Sequence, residues 1–432
     1  MNTTSKGYKW EVLALLWVAY LLNQADRQVF NTVLPAIRDS LSLTDTSVGL
    51  IATVFNLFYA CMVPLGGWAG DRFSRKWVTT LSILFWSVAT MFTGLANGVV
   101  MLVLMRSVAT GGGEAFFGPA NYSLLGQYHT DTRARAMSIH QTSYYVGVIL
   151  AGWLAGKIAD ALGWKYSFII FGCAGIIWGI VMMLRLKDAP KEEMPGQAGH
   201  DGTSGQDGTN GQDGTNGQDG KPKIWDGFKT VFTTPTALML TLGFSAFIFV
   251  ITGYMTWVPA YLQEEFGQNQ EMAGLHSMLW TYIAAFAGVL LAGTLSDKWG
   301  AKDHKMRMYI QGAGLILGAV FLFLMGGNRV LWVLYACFAG WGFFRAFFDA
   351  NIYTVLYDVT PPRLHASCSS AMITTGFAVG ALAPVVLGAM KESMGSLSAT
   401  FPLLGVIWVV AGGLCLWVAK TRYQKDYDKN HC

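Results

Sequence analysis

Apolar residues along this chain gather into twelve runs, near 12–34, 48–70, 77–96, 98–125, 135–160, 166–186, 236–262, 272–296, 307–326, 330–357, 366–390 and 398–420. About 20 consecutive apolar residues cross roughly 30 Å of hydrocarbon as an α-helix. Backbone at that depth must satisfy its own hydrogen bonds, and runs of this length are too long for barrel strands. The pattern therefore predicts an all-α membrane protein with twelve transmembrane helices. One long hydrophilic stretch, residues 187–235, separates six runs from six. Inside it, Gly recurs at every third position from Gly196 to Gly220. That is the collagen period without collagen's prolines, and it fits no calcium-loop spacing, so a disordered cytoplasmic linker is expected. The expected organisation is a six-helix half over 1–186, the linker over 187–235, and a second half with a cytoplasmic tail over 236–432.

Composition agrees with a lipid solvent: 53% of the 432 residues are hydrophobic and 13% charged, against about 25% charged in soluble domains. The first run carries Asp26 and Arg27 in its second half and lacks a small-residue cleavage site, so it is expected to stay as a helix rather than act as a cleaved signal. The six cysteines are scattered without paired spacing and predict neither a metal site nor a disulfide framework. With both termini placed inside, 22 of the 30 Lys and Arg residues fall on the cytoplasmic side and five outside. This is the positive-inside bias of an inner-membrane protein. The net charge of +4 then reports topology and gives no reason to expect a nucleic-acid partner. Three remaining arginines, Arg27, Arg106 and Arg345, lie within apolar runs.

The halves repeat one another. EAFFGPANYSLL, from Glu114, returns 231 positions later as RAFFDANIYTVL, from Arg345, and GWAGDR, ending in Asp71-Arg72, is echoed by GTLSDK, ending in Asp297-Lys298. Parallel repeats related by an axis along the membrane normal are one transporter architecture, with substrate held near the midplane between them.

GGWAGDRFSRK (Gly66–Lys76) resembles the loop signature of the major facilitator superfamily, and Gly293–Gly300 sits where that family has a second copy. The resemblance covers nearly the whole chain and implies the major facilitator fold of two pseudo-symmetric six-helix halves. NQADRQ (Asn23–Gln28), GGGEA (Gly111–Ala115) and WVPAYL (Trp257–Leu262) resemble the organic anion:cation symporters and, almost as well, the Spinster-type carriers. In those relatives the matching Asp and Glu are proton sites, which implies that role for Asp26 and Glu114; the matching Arg implies anion binding by Arg27. Relatives commonly place an Arg seven residues before the Glu. Arg106 stands eight before, which in a regular α-helix turns it about 100° further round, so no role is carried over to it. The resemblance also implies a cytoplasmic gate at Gly67, Asp71, Arg72, Arg75 and Lys76, with Asp297 in the second copy.

The residues themselves suggest a division of labour. A charge at the bilayer centre costs at least about 2.5–3.5 kcal/mol, so these side chains need partners or a wet cavity. A carboxyl withdrawn from water holds a proton more readily, which equips Asp26 or Glu114 to carry the coupling proton. Arginine stays charged and offers a planar fork to a carboxylate. Glu114 and Arg345 are expected to face each other across a central cavity, with Arg345 and Arg27 holding an anion; a fixed Glu114–Arg345 brace is the structural alternative. Arg345 and Asp349, at i and i+4, can also pair. Asn121, Gln141, Tyr144, Tyr145, Tyr254, Trp257 and Asn351 are expected to supply the remaining polar and aromatic contacts. Gly147, Gly152 and Gly156, with Gly376, Gly380 and Gly388, look like close-packing surfaces. Gly111-Gly112-Gly113 lacks the Lys-Ser/Thr of a phosphate loop, and no hydrolase motif is present, so an enzyme is not expected. The expected function is proton-coupled symport of a small organic anion, first a sugar acid such as a sialate or hexuronate. It needs no cofactor beyond the proton, no metal, and no partner beyond substrate and bilayer, and is expected to work as a monomer. A Spinster-like lysolipid or sphingolipid carrier and a non-transporting receptor are the alternatives.

Overall fold

A computed structural model describes residues 7–129, 133–188, 224–361 and 364–431, apart from the side chains of residues 68, 71, 133–135, 137, 138, 224, 365, 366 and 431. The glycine repeat Gly196–Gly220 lies outside the described residues, as does the gate candidate side chain of Asp71. All regular structure among the described residues is helical. The first half comprises α1 (Tyr8–Ser40), α2 (Asp45–Arg72), α3 (Arg75–Thr93), α4 (Val99–Leu102), a π-helix (Val103–Thr110), α5 (Gly111–Tyr128), α6 (Arg133–Leu162) and α7 (Trp164–Arg185). Next come α8 (Ile224–Thr233), α9 (Pro235–Phe266), α10 (Gln270–Gly300), α11 (Lys305–Gly327) and α12 (Leu331–Asp349). The chain ends with α13 (Ile352–Asp358), α14 (His365–Gly380), α15 (Ala383–Met394), α16 (Phe401–Thr421) and α17 (Tyr423–His431).

Among the described residues, ten helical spans are long and apolar enough to cross a membrane, and they coincide with ten of the twelve apolar runs. The other two runs form α1 and α3. Each is diluted by polar residues that point into the bundle: Asn23, Gln24, Asp26 and Gln28 on α1, and Thr79, Thr80, Ser87 and Thr90 on α3, are all buried. Large apolar side chains face outward instead, including Leu81, Phe85, Leu184, Leu290 and Trp417. That inversion suits a hydrocarbon exterior. Within the first half α1 packs on α6 and α3 on α7; within the second, α10 packs on α12 and α11 on α16.

The most extensive contacts between the halves are those of α6 with α10 and of α2 with α15. Both depend on glycine. A Cβ on Gly152 would stand 2.4 Å from the Gly274 carbonyl oxygen, and one on Gly49 would stand 2.4 Å from that of Pro384. The backbones are in direct contact at these points, as expected for a close-packing role of Gly152, Gly156 and Gly388.

A polar cluster closes the bundle at the same end. Lys391 donates to Asp45 at 2.8 Å and reaches Glu264 at 2.7 Å, while Arg38 donates to Glu264 at 2.6 Å and Asp45 at 3.0 Å. Asp160 accepts from the backbone N–H groups of Gln270 and Glu271 at the start of α10, and Trp153 donates to Glu271 at 2.7 Å. Left-handed glycines, Gly267 (φ 64°) and Gly395 (φ 74°), end α9 and α15 there, where a side chain would be strained.

Candidate functional site

Between the halves lies a cavity of about 560 Å³, within the usual range of small-molecule sites. Its wall includes five charged side chains: Arg27, Arg106 and Glu114 from the first half, Arg345 and Asp349 from the second. Both residues that open the repeated dodecapeptide therefore reach one chamber.

Glu114 does not pair with Arg345. Its Oε2 accepts from Nε of Arg27 at 2.7 Å, with the Glu114 side chain wholly buried and that of Arg27 22% exposed. The alternative of a fixed Glu114–Arg345 brace is not formed: α1 and α5 are neighbours in one half and bring Arg27 and Glu114 into direct contact instead. The second oxygen of Glu114, Oε1, has no protein hydrogen-bond partner. The three glycines before it let α5 settle closely. A Cβ on Gly111 would stand 3.1 Å from the Phe55 ring of α2, and one on Gly113 would stand 3.0 Å from Cβ of Trp86 on α3.

Arg27 also lies over the Tyr59 ring, its Cζ 4.2 Å from the centroid. Asp26, one residue earlier, turns away from the chamber and accepts from Oγ1 of Thr90 on α3 at 2.8 Å. The neighbouring pair thus has separate partners, as their angular offset on a helix requires.

Arg106 reaches the chamber wall despite its eight-residue spacing from Glu114. The intervening segment Val103–Thr110 is a π-helix, which takes more residues per turn than an α-helix. The wider turn absorbs the extra residue and returns Arg106 to the face of Glu114. There its Cζ sits 4.2 Å from the Phe55 centroid and 5.4 Å from that of Phe30, with Nε and Nη1 lacking hydrogen-bond partners.

On the opposite wall Arg345 approaches Asp349 at 3.9 Å, outside hydrogen-bond distance, and its Nε has no partner. Its Cζ lies 5.3 Å from the Tyr282 centroid and 5.7 Å from that of Trp341. Tyr282 and Tyr144 share a 2.9 Å hydrogen bond between their hydroxyls, linking α10 to α6.

Gln141, Tyr144 and Tyr145 line the chamber, as do Asn23, Gln24 and Tyr59, which sequence reasoning missed. Four other expected contacts are not part of the wall. Asn121 bonds to His140 at 3.0 Å, Tyr254 to Thr281 at 2.7 Å, and Trp257 donates to the Pro384 carbonyl at 3.0 Å. Asn351 accepts from Ser296 and donates to the Phe347 carbonyl. Each is a buried polar group hydrogen-bonded to a neighbouring helix or turn, an arrangement that holds packed helices together. Of the gate candidates, Gly67 and Arg72 lie at the end of α2, and Arg75 donates to the Gly70 carbonyl at 3.3 Å. The backbone N–H of Lys76 donates to Asp188 just beyond α7, and Asp297 is exposed near the end of α10.

The profile of the Major Facilitator Superfamily matches residues 16–384. The chain is 26% identical to the probable sulfoacetate transporter SauU of Cupriavidus necator, over 94% of this chain and 93% of that protein. It is 25% identical to the hexuronate transporter of Bacillus subtilis, over 93% of each. Among solved structures it superposes on a bacterial homologue of the human lysosomal transporter Spinster, in an inward-facing and occupied conformation. The TM-score is 0.81 at 21% identity, covering 98% of this chain and 99% of that one.

Proposed function

This chain belongs to the major facilitator superfamily and is a multi-pass membrane transporter, not an enzyme, and we propose that it carries a small organic anion, a sugar acid first, coupled to protons. Transport would proceed by alternating access between two six-helix halves, twelve spans in all, in a monomer of the inner membrane with both termini cytoplasmic. The Arg38–Asp45–Glu264–Lys391 cluster then closes the outer side, and the chamber communicates with the cytoplasm. The gate assigned to Gly67, Asp71, Arg72, Arg75, Lys76 and Asp297 would engage when the cytoplasmic side closes.

One observation carries the reading: the buried 2.7 Å contact between Arg27 and Glu114 in the chamber wall. An ionised Glu114 occupies the guanidinium that an incoming carboxylate needs. A proton on Glu114 removes its charge and turns Arg27 toward substrate, so proton and anion load together and leave together. Asp26, held by Thr90 behind the wall, is the second proton site. The anionic relatives support the substrate class. A chamber walled by charged and amide side chains favours a sugar acid over a lysolipid. The test is Glu114→Gln in proteoliposomes: proton-driven accumulation should vanish while substrate counterflow persists. Undiminished accumulation refutes the coupling role.

A further inference from the structure

We propose that the chamber is built to hold a dianion, with one acidic group on Arg106 beside the Arg27 that protonation of Glu114 frees, and the other on Arg345; this rests on the anion-transport reading above. The three guanidiniums in the wall are not equivalent. Arg27 already has a carboxylate at 2.7 Å. Arg106, 4% exposed, has no hydrogen bond from Nε or Nη1, and Arg345, 5% exposed, has none from Nε. The carboxylate nearest Arg345 stops at 3.9 Å. Aromatic faces at Phe55 and Tyr282 steady these two cations but leave in-plane N–H donors for an acceptor.

Buried guanidinium donors need acceptors, and these two belong to opposite halves of one chamber. A single carboxylate engages one fork; a ligand with an anionic group at each end engages both and bridges the halves. Charge points the same way. With Glu114 and Asp26 protonated, three guanidiniums face Asp349 alone, an excess of two positive charges that a dianion cancels and a monoanion does not.

The experiment uses two acids on one six-carbon chain, galactonate with one carboxylate and galactarate with two, titrated calorimetrically into the purified full-length protein. Galactarate should bind at least about tenfold more tightly. In Arg106→Gln, and in the charge-neutral double change Arg345→Gln with Asp349→Asn, that advantage should collapse to within about threefold. Galactonate, which a single fork can hold, should lose less affinity than galactarate in each variant. Thermal melting checks folding, and Arg106→Lys and Arg345→Lys, which keep the charge and lose the fork, serve where a glutamine variant does not fold, with the same expected direction. Equal wild-type affinities for the two acids, or equal losses for both in the variants, overturn the dianion assignment while leaving anion transport standing. If neither acid binds, the transport reading falls with it.

Discussion

Adding one methyl group where α6 meets α10 should drive the two halves apart at the closed end. A Cβ on Gly152 falls 2.4 Å from the Gly274 carbonyl oxygen, and one on Gly274 falls 2.0 Å from that of Gly152, where ordinary contact begins at 3.4 Å. Both obstructing atoms are backbone, so no rotamer change relieves the clash; the helices must separate by roughly 1 Å or more. Overpacking of this kind costs about 1–3 kcal/mol. The cost falls only on the conformation that holds α6 against α10, so it shifts the equilibrium between closed and open outer ends by about 5–150-fold. Spin labels at Leu162 and Met272, exposed residues at the ends of α6 and α10, in a cysteine-free background, report the separation by pulsed electron resonance. Gly152→Ala and Gly274→Ala should each move the distance distribution toward a longer population. Distributions indistinguishable from the parent in both variants would refute the view that these glycines hold the outer end shut.

Other perturbations follow from single contacts. Lys391→Met leaves Asp45 and Glu264 with Arg38 alone and should increase labelling of the chamber by a membrane-impermeant thiol reagent added outside; unchanged labelling would deny Lys391 a latch role. Tyr144→Phe removes the 2.9 Å hydroxyl contact to Tyr282, worth about 0.5–1.5 kcal/mol, and should lower outward-closed occupancy, raising labelling in the same assay by a few-fold. Asp358→Asn weakens the acceptor shared by Arg307 at 2.9 Å and Tyr423 at 2.7 Å. It should lower the melting temperature in detergent while leaving substrate affinity intact, since none of the three lines the chamber.

The helices were legible because hydrocarbon imposes one simple demand, a long apolar run, and ten of the twelve runs meet it as continuous spans. The polar faces of α1 and α3 dilute their apolar character, but the runs at 12–34 and 77–96 still marked both helices, and α1 carries Asp26 and Arg27 into the interior. Glycine spacing on α6 and α15 announced close packing, but the partners Gly274 and Gly49 depend on how the halves dock. The intramembrane charges announced a chamber, and Arg27, Glu114 and Arg345 all line it. Pairing was a different matter. Arg27 and Glu114 are 87 residues apart, and the repeat drew attention instead to Glu114 and Arg345, which share a repeat position without sharing a contact. Arg106 was hidden by counting α-helical turns through a segment that is not α-helical. Asn121, Tyr254, Trp257 and Asn351 carry the same functional groups as true wall residues, and only the direction of each side chain distinguishes packing from lining.

Proton uptake on substrate binding tests the competition at Arg27 most directly. Saturating sugar acid is added to the protein in weakly buffered detergent solution near neutral pH, and the proton change is read with an electrode. Wild-type protein should take up protons as the anion displaces Glu114 from Arg27, and Glu114→Gln should bind the anion with that uptake reduced or abolished. Equal uptake by both proteins, or binding without uptake by the wild type, would contradict it.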